Sequence, residues 1–159
     1  MKKLFALLAV VASLTACGTT GEHRAEDATD TKTAAFDSAA GVQMLERNQL
    51  RARDRVFFDF DRHNLNSDAI RTLNAQIALL KANPNVRVVI EGHADERGTR
   101  EYNIALGSRR AAAVRNYMIA NGIAAARITT ISYGWERPQV LGSNEAAWAQ
   151  NRRAVTVLQ

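Results

Sequence analysis

Hydrophobic positions along the chain change rhythm more than once. Two lysines precede an uninterrupted apolar run from Leu4 to Ala12, and residues 19–40 then hold Phe36 as their only large apolar side chain. From Arg55 onward, short β-branched and aromatic stretches trade places with apolar positions spaced three and four apart. Val56, Phe57, Phe58, Asp59 and Phe60 predict a strand. Asn66, Ser67 and Asp68 supply N-cap chemistry for a helix along Ile70, Leu73, Ile77 and Leu80, which Asn83 and Pro84 stop. Val86 to Ala94 alternates Val86, Val88 and Ile90 on one face and predicts a second strand. Thr99 is placed to cap a long helix ending at Asn121 and Gly122. Ile128 to Tyr133 predicts a third strand, Ser143 caps the short segment EAAWAQN, and Arg153 to Leu158 closes the chain as a fourth strand. The order β-α-β-α-β-(short α)-β predicts an α/β (α+β) sandwich, with helices packed on one face of a small mixed four-stranded sheet. Residues 41–52 read as a helical turn or two, and no internal repeat is present.

At 159 residues the chain has room for one domain plus appendages, since domains commonly run to roughly 100–150 residues. The lysine pair, the apolar run and the small residues after it have the layout of an export signal. The run is too short for a membrane span, which takes about 20 apolar residues. Leu14, Thr15, Ala16 and Cys17 resemble a bacterial lipobox, which implies a leader over residues 1–16 and acylation of Cys17. By the sorting rule of such lipoproteins, Gly18 implies the outer membrane. As the only cysteine, Cys17 excludes an intrachain disulfide. Residues 17–50 read as the lipidated cysteine and a flexible tether, too polar to bury a core. Such a tether has a root-mean-square span of roughly 30 Å and an extended limit near roughly 110 Å. Residues 51–159 form the domain.

The formal charge is +5, and its distribution is uneven: residues 18–50 contribute −3, residues 51–159 +6. A basic domain raises the question of nucleic acid. Export, and the absence of a basic cluster interleaved with aromatics, argue against it.

The segment GHADERGTREYNIALGSRRA, residues 92–111, carries the candidate chemistry. Ile104, Gly107, Ala111, Val114 and Met118 form the buried stripe of the long helix, with Asn103 and Arg110 along its edge. An arginine there must find an acceptor, and Asp95 is the nearest in the motif. Two readings stay open. Asp95 and Arg110 form a structural ion pair, or they receive the ammonium and carboxylate of a zwitterionic head group. His93, Asp95 and Glu96 lack a third His or Cys for a metal site. A nucleophile elbow is also missing, so no catalytic set is assigned.

FFDFDRHNLNSDA (57–69), EGHADERGTREYNIALGSRRAAAV (91–114), YGWERPQVLG (133–142) and NRRAV (151–155) closely resemble the OmpA-like peptidoglycan-binding domain family. The resemblance implies that Asp95 and Arg110 hold the diaminopimelate residue of the peptidoglycan stem peptide, and that Phe58, Asp59 and Asn103 line the pocket. It implies TolB and other Tol proteins as partners, with no cofactor and no enzymatic activity. Gly92 and Gly98 are expected to serve backbone geometry. Trp135 and Trp148 are expected in packing or partner surface, and only one of Arg152 and Arg153 is expected to face the covered side of the sheet. Two rivals make different demands. A wall hydrolase needs an acid and base pair or a zinc set, while a protein-binding adaptor needs no charge-paired pocket.

Overall fold

In the computed structural model, residue 44 and residues 47–159 are described. The expected leader, Cys17 and most of the expected tether, residues 1–43, 45 and 46 in all, lie outside the described residues, among which no helix is long and apolar enough to cross a membrane. Residues 47–52 are helical, and Leu50 is buried in the core. Then follow β1 (Arg55–Phe57), α1 (Ser67–Ala82), β2 (Val88–His93), α2 (Arg100–Ala120), a 3-10 turn (Ala125–Arg127), β3 (Ile128–Gly134), α3 (Glu145–Asn151) and β4 (Arg153–Leu158). The strands lie in the order β1-β4-β2-β3. β4 runs antiparallel to both β1 and β2, while β2 and β3 are parallel, so the sheet is mixed.

Local chemistry sets most boundaries. The Asn66 side chain accepts from the Ala69 N–H at 2.9 Å and starts α1; Thr99 accepts from Tyr102 at 3.2 Å and starts α2. The short helix α3 is capped by Asn144, whose side chain accepts from Ala147 at 2.9 Å, rather than by Ser143. β1 stops at Phe57, earlier than the aromatic run predicts. Phe58 keeps a backbone bond to the Arg152 carbonyl at 2.9 Å, but the chain then turns away and reaches a positive φ of 53° at Asp61. β2 starts at Val88 because the Val86 N–H closes a turn onto Asn83 at 3.2 Å, and the Val86 carbonyl is taken by Arg127 at 2.8 Å. It ends where the register with β3 shifts between Gly92 and His93.

Leu73, Leu80, Ile90, Ala111, Val114 and Met118 make the core between α1, α2 and the sheet. Buried Val88 and Ile90 face the helices, and alternation sends Val89 and Glu91 to the other face. Exposed Phe57, Ile131 and Val157 leave that second face partly open. Helix α2 sits close against β2 because Gly92 meets Gly107: a Cβ on Gly92 would overlap the Gly107 carbonyl, and one on Gly107 would overlap Ser132 Oγ. Ser132 donates to the Ile104 carbonyl at 2.7 Å at the same contact. A buried polar chain links the other helix: Gln76 donates to the Arg53 carbonyl at 2.5 Å and accepts from Thr156 Oγ1 at 2.8 Å.

Candidate functional site

The end of β2, the segment after β1 and the start of α2 meet around a hollow of about 220 Å³. Asp95, Arg97 and Gly98 border it from the loop after β2, Phe60 and Asp61 from the segment after β1, and Tyr102, Asn103, Leu106 and Arg110 from α2. A larger hollow of about 380 Å³ lies at the other end of β2, among Leu79, Pro84, Val86 and Leu158. Arg47 carries the only charged side chain among its described lining.

Asp95 is 5 % exposed and fully engaged. Arg97 donates to it from Nη2 at 2.6 Å, from Nε at 3.4 Å and from the backbone N–H at 3.2 Å, and Arg152 Nη1 donates at 3.4 Å. Burial alone pushes the carboxyl pKa up, but the bonds from Arg97 and Arg152 outweigh it and hold the group below its ordinary value. The Arg97 guanidinium carbon lies over two aromatic rings, 4.0 Å from the Phe60 centroid and 4.1 Å from that of Trp148. Its Nη1 also approaches Glu145 at 3.6 Å. Arg152 is fixed by donating to the Phe58 carbonyl at 3.1 Å and to Glu145 at 2.7 Å.

Arg110 is completely buried and does not pair with Asp95. Its guanidinium donates to three carbonyls: Nε to Arg62 at 2.8 Å, Nη1 to His93 at 2.8 Å and Nη2 to Asp59 at 3.2 Å. The Phe58 ring lies beside it at 5.2 Å. Burial lowers its pKa to about 10, against the attraction of Asp95, so it stays cationic at neutral pH. Asn103 is 1 % exposed, and its amide donates to the Arg97 carbonyl at 3.0 Å, which fixes the loop carrying Asp95 and Gly98. Gly98, at φ 104°, supplies the turn.

Asp95, Asn103 and Arg110 therefore meet at one hollow. Phe58 is buried and the Asp59 side chain exposed; both sit behind or beside the hollow, and Asp59 serves it through its carbonyl. Arg97, Asp61 and Tyr102 are additional members. The Tyr102 hydroxyl donates to the Asp61 carboxylate, which raises the tyrosine pKa. Trp148, expected in packing or partner surface, stands at the rim and donates to Glu96 at 3.0 Å. Arg152 and Arg153 are both buried, but only Arg152 reaches the hollow's carboxylate; Arg153 donates to the carbonyls of Asn151 and Arg137.

The His93 ring sits apart from this site. It is 2 % exposed, neither nitrogen has a hydrogen-bond partner, and its centroid lies 5.6 Å from that of Tyr133. Among the described residues no group of three or more His, Cys, Asp or Glu side chains is placed to share a metal ion. Burial first, then the charges of Arg153 and Arg137, lowers its pKa from 6.5 to about 4. Between those values the unfolded chain binds a proton that the fold refuses, so stability should fall as pH drops from 6.5 toward 4. The slope from this group is about 1.4 kcal/mol per pH unit and the total on the order of 3 kcal/mol. Asp95 loses its contribution only at more acid pH, below its ordinary 3.8. Urea unfolding across pH 4.5–7 should show this slope in the wild type and a flatter one in His93→Phe, about one proton smaller.

The sheet order, the close-set helix and the charged hollow at a strand end define a class, and the chain belongs to it: residues 57–152 match the OmpA family. Its relatives include the peptidoglycan-associated lipoprotein of Pasteurella multocida, 44 % identical over 158 residues that cover 98 % of each chain. The Agrobacterium fabrum protein of the same name is 53 % identical over 105 residues, 66 % of this chain and 59 % of that relative. Against that longer relative the chain spans about three-fifths of its length. The crystal structure of the peptidoglycan-associated lipoprotein from Burkholderia pseudomallei matches with a TM-score of 0.66 at 44 % identity, covering 68 % of this chain and 92 % of that one.

Proposed function

We propose that this protein is a non-enzymatic lipoprotein, anchored in the outer membrane through acylated Cys17, that holds peptidoglycan non-covalently by the diaminopimelate residue of the stem peptide. With a tether that begins at residue 18 and ends ahead of the helical segment 47–52, whose Leu50 belongs to the core, it links membrane to wall, and with TolB and other Tol proteins it serves envelope integrity and division. The observation that carries this reading is the hollow at the end of β2, where the carboxylate Asp95 stands beside the cations Arg97 and Arg110. Diaminopimelate ends in an α-amino acid, so it brings an ammonium for the first and a carboxylate for the second kind of group. The names of the peptidoglycan-associated relatives support the same ligand class. No cofactor is required, because retention needs only charge-assisted hydrogen bonds.

Calorimetric titration of the full-length protein in detergent, with a stem peptide containing diaminopimelate and with its lysine counterpart, tests the reading. The diaminopimelate peptide should bind, and the lysine peptide should bind at least about tenfold more weakly, having lost a bidentate carboxylate worth roughly 1.5–3 kcal/mol. Binding of neither would favour a protein-binding adaptor instead.

A further inference from the structure

We propose that the zwitterion enters by splitting the Arg97–Asp95 ion pair, and that Arg97, rather than Arg110 alone, receives the ligand carboxylate. The inference rests on the wall-binding reading and specifies how its pocket works. Asp95 has no vacant oxygen in the ligand-free protein: Oδ1 accepts from the Arg97 backbone N–H at 3.2 Å and from its Nε at 3.4 Å, and Oδ2 accepts from Arg97 Nη2 at 2.6 Å and Arg152 Nη1 at 3.4 Å. An incoming ammonium must take the place of one of these donors. Arg152 cannot move without leaving the Phe58 carbonyl and Glu145, and it is buried. Arg97 can move, since its side chain is 31 % exposed and, apart from Asp95 itself, it is held only by the rings of Phe60 and Trp148 that its guanidinium carbon overlies and by a long 3.6 Å approach to Glu145. A cation over a ring face is attracted without being pinned to one position, so Arg97 can shift while keeping these contacts.

Arg110 is differently committed. All three of its nitrogens already donate to carbonyls on two separate segments, around residues 59–62 and at residue 93. Three of its five N–H groups are spent on the fold, so it offers fixed single contacts rather than an adaptable fork. Exchange also leaves no charge alone. Before binding, Asp95 and Arg97 neutralise each other; afterwards the ligand ammonium faces Asp95 and the ligand carboxylate faces Arg97. A lysine-type ligand would displace Arg97 and give it nothing in return, which makes Arg97 the residue that discriminates.

The test places full-length protein in detergent on a Trp135→Phe background, so that emission reports Trp148 against the Arg97 plane. Titration of the diaminopimelate stem peptide should change Trp148 emission in step with the calorimetric isotherm. Arg97→Gln should weaken that peptide about tenfold or more, bring the lysine peptide to within about threefold of it, and abolish the emission change; Arg97→Lys, charged without a fork, should fall between. Thermal melts check that both variants fold. Binding to the wild type with silent Trp148, or Arg97→Gln that keeps affinity and discrimination, would overturn the exchange while leaving wall binding intact. A wild type that binds neither peptide would overturn the wall-binding reading, and the exchange with it.

Discussion

Arg110→Ala should cost about 4 kcal/mol or more of folding stability before any ligand is added. The substitution strips donors from the carbonyls of Asp59, Arg62 and His93, the last in a fully buried bond. An unsatisfied buried polar group costs about 1–3 kcal/mol, and the lost guanidinium leaves a cavity as well. With a urea dependence of roughly 2 kcal/mol per molar, the unfolding midpoint should drop by about 2 M. Arg110→Lys should recover only a fraction, because one ammonium cannot span carbonyls that a planar fork reaches together. The segment around Asp59 and Arg62 should loosen first, since Arg110 ties it to the end of β2. Loss of ligand binding in this variant is therefore a folding effect as much as a contact effect. A unimpaired midpoint in chemical denaturation would show that water satisfies these carbonyls and that the arginine is held for the ligand alone.

Gly92→Ala should be the second severe change, at about 3 kcal/mol or more. Its added Cβ would lie on the backbone of Gly107, which no rotamer can relieve. Separation of α2 from β2 would also carry Asn103 and Arg110 away from Asp95, so ligand affinity should fall at least about tenfold with the stability. Gly107→Ala differs in a useful way. Its main obstacle is the Ser132 hydroxyl, a side-chain atom, although the Gly92 carbonyl is also close, at 2.9 Å. Alanine returns about 1 kcal/mol of helix propensity at that position. Adding Ser132→Ala should rescue part of Gly107→Ala and none of Gly92→Ala, a coupling that a double-mutant cycle by urea unfolding reads directly.

These two sites show where sequence reasoning reaches and where it stops. Of the stripe read from spacing, Gly107, Ala111, Val114 and Met118 are buried and Ile104 only half-buried, while Asn103 and Arg110, read along its edge, are fully buried, so the covered face is turned slightly toward them. Caps at Asn66 and Thr99 are equally legible, because their partners lie three residues away. The destination of the Arg110 head is not legible. Its acceptors are carbonyls 17, 48 and 51 residues distant, and a carbonyl carries no side-chain signature. Periodicity could show only that this cation needed an acceptor, and Asp95 was the visible one. Asp95 itself is taken by Arg97, two residues on, whose backbone N–H and guanidinium both turn back onto its carboxylate, and alternation along a strand does not foretell such a local turn. Tyr102 and Asp61 sit 41 residues apart and meet only once β1 breaks off early.

The short first strand has a mechanical consequence. β1 runs toward the hollow, and its three residues pair antiparallel with β4 at Arg55–Val155, Val56–Ala154 and Phe57–Arg153. In the proposed anchoring, a pull from the N-terminal side that is resisted at the hollow acts along the strands, in shear, so the ladder bonds share the load rather than opening one by one. Just ahead of the strand, the Asp54 carbonyl accepts from the Thr156 N–H at 2.6 Å and the Arg53 carbonyl from Gln76 at 2.5 Å. The helical segment with buried Leu50 and then these two bonds, one to β4 and one to α1, thus meet tension ahead of the strand, and the sheet beneath them is loaded in its stiff direction.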